Sequence, residues 1–463
     1  VGVGVSVLVA NTTGQQNTAV GTSALDANTT ASNNTAFGYA AASSSTTADN
    51  ITAIGSQALQ NNTGGTDTTA VGKSALAANT TGDANNAFGR SSMSSNTTGG
   101  NNCAFGKNTL EQNTTASSNS AFGHYALAVN TTGTRNVAVG ANALDANTTA
   151  SDNTAVGANA LTANTTGTRN DAFGSYALAA TTTGNDNAGF GYGALNLNTT
   201  GDQNTAVGRS ALTANTTADN NTAVGYLALT ANTTGSKNVS VGAFCLDSNT
   251  TGNGNTCVGY WAGASQSTSN DNTFVGYYAG YPATGYRNAV LGSYAGYELT
   301  SGHTNLLLGY QAGYSASPSG TISTHNYRIC LGDNDITNAY IKVDWTVTSD
   351  RRDKTDIEPF THGLSWINKL NPVTYRWDNR TDYEDGIPDG SKKGAQLNLG
   401  LIAQDEIEVE KEHGYGDTSE NMLVSHVNED GSYGMQYSRL VPILINAVKE
   451  LSAKVNELES KLN

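Results

Sequence analysis

Glycine recurs every 17 residues from Gly4 to Gly276, then after 16 at Gly292 and after 17 at Gly309. A period this short and this strict excludes helical-hairpin repeats and suits one turn of a β-solenoid. The residue before each glycine is apolar, as at Val20, Phe37, Ile54, Phe105, Val156 and Leu308. Asn stands four residues before it in 16 of the 18 repeats that can be checked. Ala-Leu follows at three and four residues, as in Ala24-Leu25, Ala143-Leu144 and Ala211-Leu212, and many coils close on Asn-Thr-Thr-Gly or Asn-Thr-Thr-Ala. Gly and Asn supply the corners that need positive φ, and Thr and Val the short strands between them. No proline precedes Pro282, as expected where backbone N–H groups feed a ladder. Nineteen coils at about 4.8 Å would make a rod of roughly 90 Å. Val1 to Leu8 read as a repeat already under way, so the chain is expected to begin as a fragment.

The strand before each glycine carries Ala and then Val or Phe, as in Ala19-Val20 and Ala104-Phe105. Neighbouring strand residues face opposite sides. The small Ala therefore fits the cramped interior, and the larger row lies outside as a long apolar stripe that needs a partner. This predicts a homo-oligomer. From Gly259 onward the Leu after Ala becomes Gly, at Gly263, Gly280, Gly296 and Gly313. Tyrosines gather in the same coils, from Tyr277 to Tyr314; packing within the shaft is favoured over ligand recognition. The Asn-Thr-Thr triplets match a glycosylation acceptor pattern, but their repeat-locked positions favour a corner-forming role. A Thr face for ice is disfavoured because Arg135, Arg169, Asp186 and Lys237 are expected to interrupt it.

The Asn-x-x-Val/Phe-Gly-x-x-Ala-Leu core resembles the β-roll heads of trimeric autotransporter adhesins and the repeat shafts of phage fibres, over residues 1–313. It departs from the adhesin heads in its longer period and its Asn-Thr-Thr connection. The resemblance implies a homotrimer.

Composition changes sharply at residue 349. Residues 1–348 hold 10 Lys/Arg and 17 Asp/Glu, and residues 349–463 hold 13 and 21. Charged residues are thus 27 of 348 and then 34 of 115. Both parts are net acidic, which disfavours nucleic acid as a partner. No apolar run approaches the ~20 residues of a membrane helix, so no membrane insertion is expected. Cys103, Cys245, Cys257 and Cys330 show no metal-type spacing and are read as small buried hydrophobes. No cofactor and no metal is expected. Residues 314–348 read as a β-rich connector, with strands at 327–332 and 339–343. Asp333, Asp335 and Asp344 read as turn residues rather than cation ligands. Asp378, Asp382, Glu384, Asp385 and Asp389 read as a solvated acidic loop.

The part after Ser349 reads as α/β. Helical spacing runs from Gly363 to Leu370, strands are expected at 373–377 and 399–403, and a long helix starts at Leu440. Val441, Leu444, Val448, Leu451, Val455, Leu458 and Leu462 alternate by 3 and 4, a coiled-coil seam. Ser349 lies five residues before Lys354, a hydroxyl and an amine placed as nucleophile and general base would be. By spacing alone, a turn-capping serine and a surface lysine fit better.

Four ordered motifs change that balance. They are Ser349-Asp350-x-Arg352-x-Lys354-x-x-Ile357, Leu370-x-Pro372-Val373-x-Tyr375-x-Trp377, Gly400-Leu401-Ile402-Ala403-Gln404, and Tyr437-Ser438-Arg439-Leu440-Val441-Pro442 through Lys449-Glu450-Leu451. Together they resemble the C-terminal intramolecular chaperone of phage tailspikes, tail fibres and endosialidases. The resemblance implies a domain over 349–463 that trimerises, guides fibre folding and cuts itself off. It implies Thr348–Ser349 as the scissile bond, Ser349 as nucleophile and Lys354 as base, with Asp350 and Arg352 in support. It also implies a virion protein assembled in the host cytoplasm, whose partner is a host cell-surface receptor, carbohydrate included.

Three other readings are weaker. A bacterial surface adhesin would need an anchor barrel, whose alternating apolar strands residues 349–463 lack. A polysaccharide-binding tailspike that cuts its ligand would need paired carboxylates, and acids in 1–313 are sparse. A membrane-bound transcription factor would need a basic domain and a membrane helix.

Overall fold

A computed structural model of the chain describes residues 1–315, 317–343, 346–428 and 431–462. It divides into two compact units, Val1–Ala312 with Ser323–Leu331, and Gly313–Ile322 with Gly332 onward.

The first unit is a parallel β-solenoid. Its strands run from β1 (Gly2–Val3) and β2 (Thr18–Val20) to β19 (Leu306–Leu308) and β20 (Ile329–Leu331), and each pairs in parallel with the next. Ala19 lies beside Ala36, and Ala206 beside Ala223, so one coil is one repeat. The 16-residue interval places Thr273 beside Ala289 without breaking the ladder. The stack extends one rung past residue 313, because Leu306 pairs with Ile329 after a longer excursion. Backbone pairing continues there although the glycine period does not. Residues 339–343, expected as a strand, form none. Tyr340 in that stretch is 93% exposed, so no apolar layer covers it.

The coil follows from a few positions. Gly21 has φ +125°, and a Cβ there would lie 2.5 Å from the Gly38 carbonyl oxygen. The glycine column is therefore set both by backbone conformation and by the close approach of the next coil. Ser23, Leu25 and Asn33 then take left-handed φ of 56°, 49° and 61°. For Leu25 this costs about 1–2 kcal/mol, which full burial of its side chain offsets by a similar ~1.5–3 kcal/mol.

The central strand residue points inward, as expected: Ala19, Ala104 and Ala206 are fully buried. The row before glycine is outside, with Phe37 58% and Phe105 37% exposed. Within it Phe88 stacks on Phe105 at 4.5 Å, and Phe105 on Phe122 at 5.0 Å. In the late coils the inward residue grows to Phe274, Val290 and Leu307, all buried. The change from Leu to Gly makes room for them. A Cβ at Gly280 would lie 2.7 Å from the Phe274 ring.

Two buried asparagine columns fill the polar side of the core. In one, Asn79 Nδ2 donates to Asn62 Oδ1 (2.8 Å), Asn96 to Asn79 (2.7 Å), and so on up the stack. Each Nδ2 also donates to a backbone carbonyl three residues on, as Asn79 does to Gly82. The other column, for example Asn102 and Asn119, accepts backbone N–H from the following coil through Oδ1. The triplet asparagines are thus consumed by corner formation and hidden from glycosylation. Thr29 Oγ1 donates to the Thr46 carbonyl in the same manner, while Arg135 pairs with Asp152 and Arg169 with Asp186 across coils (2.6 Å each). These charges sit at a left-handed corner three residues beyond the Thr pair, in a column of their own, so they do not interrupt the Thr row.

The late aromatic rings pack on each other from coil to coil, Tyr278 on Tyr294 at 5.7 Å and Tyr281 on Tyr297 at 6.0 Å. Cys245, Cys257 and Cys330 are buried, but Cys103 is half-buried. It opens its strand, and that position points away from the core.

The second unit is α/β. Helix α1 (Leu364–Ile367) follows directly on Gly363, its N-cap, and is shorter than the expected 363–370. Strand β21 (Val373–Tyr375) pairs antiparallel with β22 (Asn398–Gly400), and β23 (Ser425–Val427) with β24 (Tyr433–Met435). Helix α2 (Ala403–Glu412) takes over where the second strand was expected to continue. The core is Trp366, Val409, Val424 and Ile443. Helix α3 (Leu440–Leu462) packs Ile443 and Ala447 inward. Its heptad seam stays exposed, with Val448 at 65% and Leu458 at 60%.

Candidate active site

Asp350 begins a single 3-10 turn, Arg351–Asp353, by accepting the Arg352 backbone N–H at 2.9 Å. The same carboxylate takes Arg352 Nη2 at 2.6 Å and Nε at 3.1 Å. That pairing holds the Asp350 carboxyl below its usual range and raises the Arg352 guanidinium. The clamped turn folds the chain back on itself, and Lys354 Nζ donates to Ser349 Oγ at 2.6 Å. Ser349, Lys354, Asp350 and Arg352, the four residues singled out from the sequence, therefore come together in one exposed hexapeptide, with Thr348 immediately before it.

Several of the other acidic groups cap turns and loops. Asp333 accepts the Asp335 N–H, closing the expected turn; Asp344 lies outside the described residues. Asp378 takes the Tyr383 hydroxyl and the Gly390 N–H, and Asp389 takes the Ser391 N–H. Among the described residues no group of His, Cys, Asp and Glu has the arrangement to hold a metal, and no helix is long and apolar enough to cross a membrane.

Sequence reasoning missed a buried carboxylate pair on α2. Glu410 is fully buried and accepts the N–H groups of Leu423, Val424 and Ser425 and the Ser425 hydroxyl, at 2.6–2.9 Å. Glu406, one turn earlier, is 1% exposed and accepts only Trp366 Nε1, at 2.9 Å; its Oε2 has no partner. Burial, with Glu410 adding repulsion, pushes Glu406 up to about 7. In a run reading Gln-Asp-Glu-Ile-Glu-Val-Glu-Lys-Glu, nothing local distinguishes these two acids from a solvated face.

Residues 349–415 match the family model described as chaperone of endosialidase, a family of self-cleaving intramolecular chaperones. The match begins at Ser349 and stops before the Tyr437–Leu451 motif. No curated protein matches the chain. A segment similar to this family behind a 17-residue-repeat β-solenoid fits a protein of the phage tail-fibre or tailspike type.

Proposed function

We propose that this chain is a trimeric phage tail fibre, in which residues 1–348 form the host-binding shaft and residues 349–463 assemble it and then leave by self-cleavage between Thr348 and Ser349. The observation that carries the reading is the 2.6 Å contact of Lys354 Nζ with Ser349 Oγ at the first residue of the chaperone match. Ser349 Oγ attacks the Thr348 carbonyl carbon as Lys354, in its free-amine form, takes the hydroxyl proton. The Ser349 nitrogen takes that proton from Lys354 and leaves as an amine, and the peptide bond has become an ester. Water then hydrolyses that ester to a Thr348 carboxylate and a restored Ser349 hydroxyl. The scissile bond is the chain's own, so the reaction runs once.

Asp350 and Arg352 are positioning residues, because their clamp shapes the turn that sets the dyad. The hexapeptide is exposed in a single chain, and desolvation by neighbouring copies would favour the neutral amine the reaction needs. Trimerisation is supported by two unpartnered apolar surfaces, the outer Val/Phe row and the α3 seam. A shaft of near-identical coils can pair between copies in wrong registers, since each offset preserves the apolar row. A removable clamp after the last coil would set that register, and its loss would leave unfolding without a way back.

The test is intact mass spectrometry of the full chain and its Ser349→Ala, Lys354→Ala and Lys354→Arg variants, with light scattering on the same samples. Wild type should split after Thr348 while all three variants stay whole and trimeric. A variant that still splits there, or a trimeric wild type that does not, overturns the dyad. A monomeric wild type overturns the assembly reading.

A further inference from the structure

Cys245 and Cys257 belong to consecutive coils and meet in the solenoid core. Cys245 stands three residues after Gly242, and Cys257 is the central residue of its strand, Thr256–Val258. Ala is the usual residue at both positions, as at Ala211 and Ala223, and only this pair of coils has sulfur at both. Both side chains are fully buried. Cys245 Sγ donates to the Cys257 carbonyl at 3.2 Å, which sets it directly against the residue that carries the second thiol. Ser92 reaches the Ala104 carbonyl at the same 3.2 Å, so coil geometry itself brings this position against the next strand.

The pair also sits at a boundary. Leu246 is the last Leu of its column and Gly263 the first Gly. A Cβ at Gly263 would lie 3.0 Å from Cys257 Sγ, so the missing side chain leaves that sulfur its space.

We propose that Cys245 and Cys257 are a latent oxidative staple, closed by hydrogen peroxide to a disulfide that ties the last Leu-type coil to the first Gly-type coil. Peroxide oxidises the Cys245 thiolate to a sulfenic acid, and its second oxygen leaves as water once protonated. The Cys257 sulfur then attacks the sulfenic sulfur, forms the S–S bond and expels the remaining oxygen as water. Two thiols and one peroxide give one disulfide and two waters. Cys245 is the first site of oxidation, since the neighbouring Cys257 thiol holds it below the ordinary value, whereas burial pushes Cys257 up. The half-buried Cys103 is the internal comparator for peroxide access.

The test treats the full chain with excess hydrogen peroxide, removes it with catalase, and denatures the protein in N-ethylmaleimide before digestion and mass spectrometry. The expected product is a Cys245–Cys257 linked peptide that reductant abolishes. Cys245→Ser, which keeps the Ser92-type hydrogen bond, should lose the link and retain the wild-type circular dichroism spectrum. Because both thiols are buried, the treatment is repeated in sub-denaturing urea. Recovery of Cys245 and Cys257 as unlinked thiols or as sulfonic acids under both conditions, with Cys103 oxidised, overturns the proposal.

Discussion

Thr181→Asn should stabilise the shaft, although it replaces one buried polar residue with another of nearly equal volume. The first asparagine column is interrupted at Ser45, Thr181 and Gln266. The Oδ1 atoms of Asn28, Asn164 and Asn249, each one coil before an interruption, are buried without partners, and so is Thr181 Oγ1. Elsewhere the following Asn supplies the missing donor, as Asn164 Nδ2 does to Asn147 Oδ1 at 3.0 Å. An Asn at 181 would donate to Asn164 Oδ1 and to the Gly184 carbonyl, and would offer its own Oδ1 to Asn198 Nδ2. Satisfying a buried orphan is worth about 1–3 kcal/mol and each ordinary bond about 1. After the cost of holding the longer side chain, we expect ~2 kcal/mol, or roughly a 30-fold smaller opening equilibrium. Hydrogen exchange by mass spectrometry on peptides spanning residues 164–201 reads this directly. The reverse change, Asn147→Thr, should orphan Asn130 Oδ1 and speed local exchange by a similar factor. Unchanged or faster exchange in Thr181→Asn, or a silent Asn147→Thr, would refute the ladder account.

Glu406 gives a pH prediction. Its carboxyl is raised to about 7 in the fold, so its contribution is fully present below the ordinary glutamate pKa and is lost as pH rises through 7. The unfolding free energy of the Ser349→Ala chain, from denaturant titrations followed by tryptophan fluorescence, should fall between pH 5 and 8 by an amount of order 3 kcal/mol, and Glu406→Gln should flatten that slope. Gly280→Leu should overpack the core against Phe274 and cost about 1–3 kcal/mol or more in thermal unfolding. Adding Phe274→Ala restores the Ala/Leu pairing of the earlier coils and should recover most of the loss. Leu451→Asp, on the exposed seam, should reduce the sedimenting species to one chain while leaving the Ile443 and Ala447 face packed; a trimer that survives this change would remove the seam from the assembly.

Much of this protein is one-dimensional and could be read as such. The 17-residue period, the inward Ala and outward Val/Phe, the corner role of Asn-Thr-Thr, and the α3 seam all sit at fixed offsets along the chain. The Ser349–Lys354 contact is local for a related reason, since one turn joins the two residues, although their spacing alone favours a capping serine and a surface lysine. Other features have no fixed offset to betray them. Trp366 meets Glu406 forty residues on, and Glu410 reaches Leu423 to Ser425 through a hairpin the sequence did not announce. Cys103 was misplaced because the core was assigned by residue type, whereas the strand's alternation turns it outward.

The sequence alone determined the coil and its two faces, because a repeat constrains each residue by its equivalents one period away. Only the tertiary structure decided which small residues trade volume across neighbouring coils, where the asparagine column is left unsatisfied, that two cysteines face each other, and that two glutamates of an apparently solvated helix are buried. Those outcomes depend on what stands opposite each side chain in the next coil or the next element, and close packing in the core makes that neighbour, rather than the residue itself, set the energy.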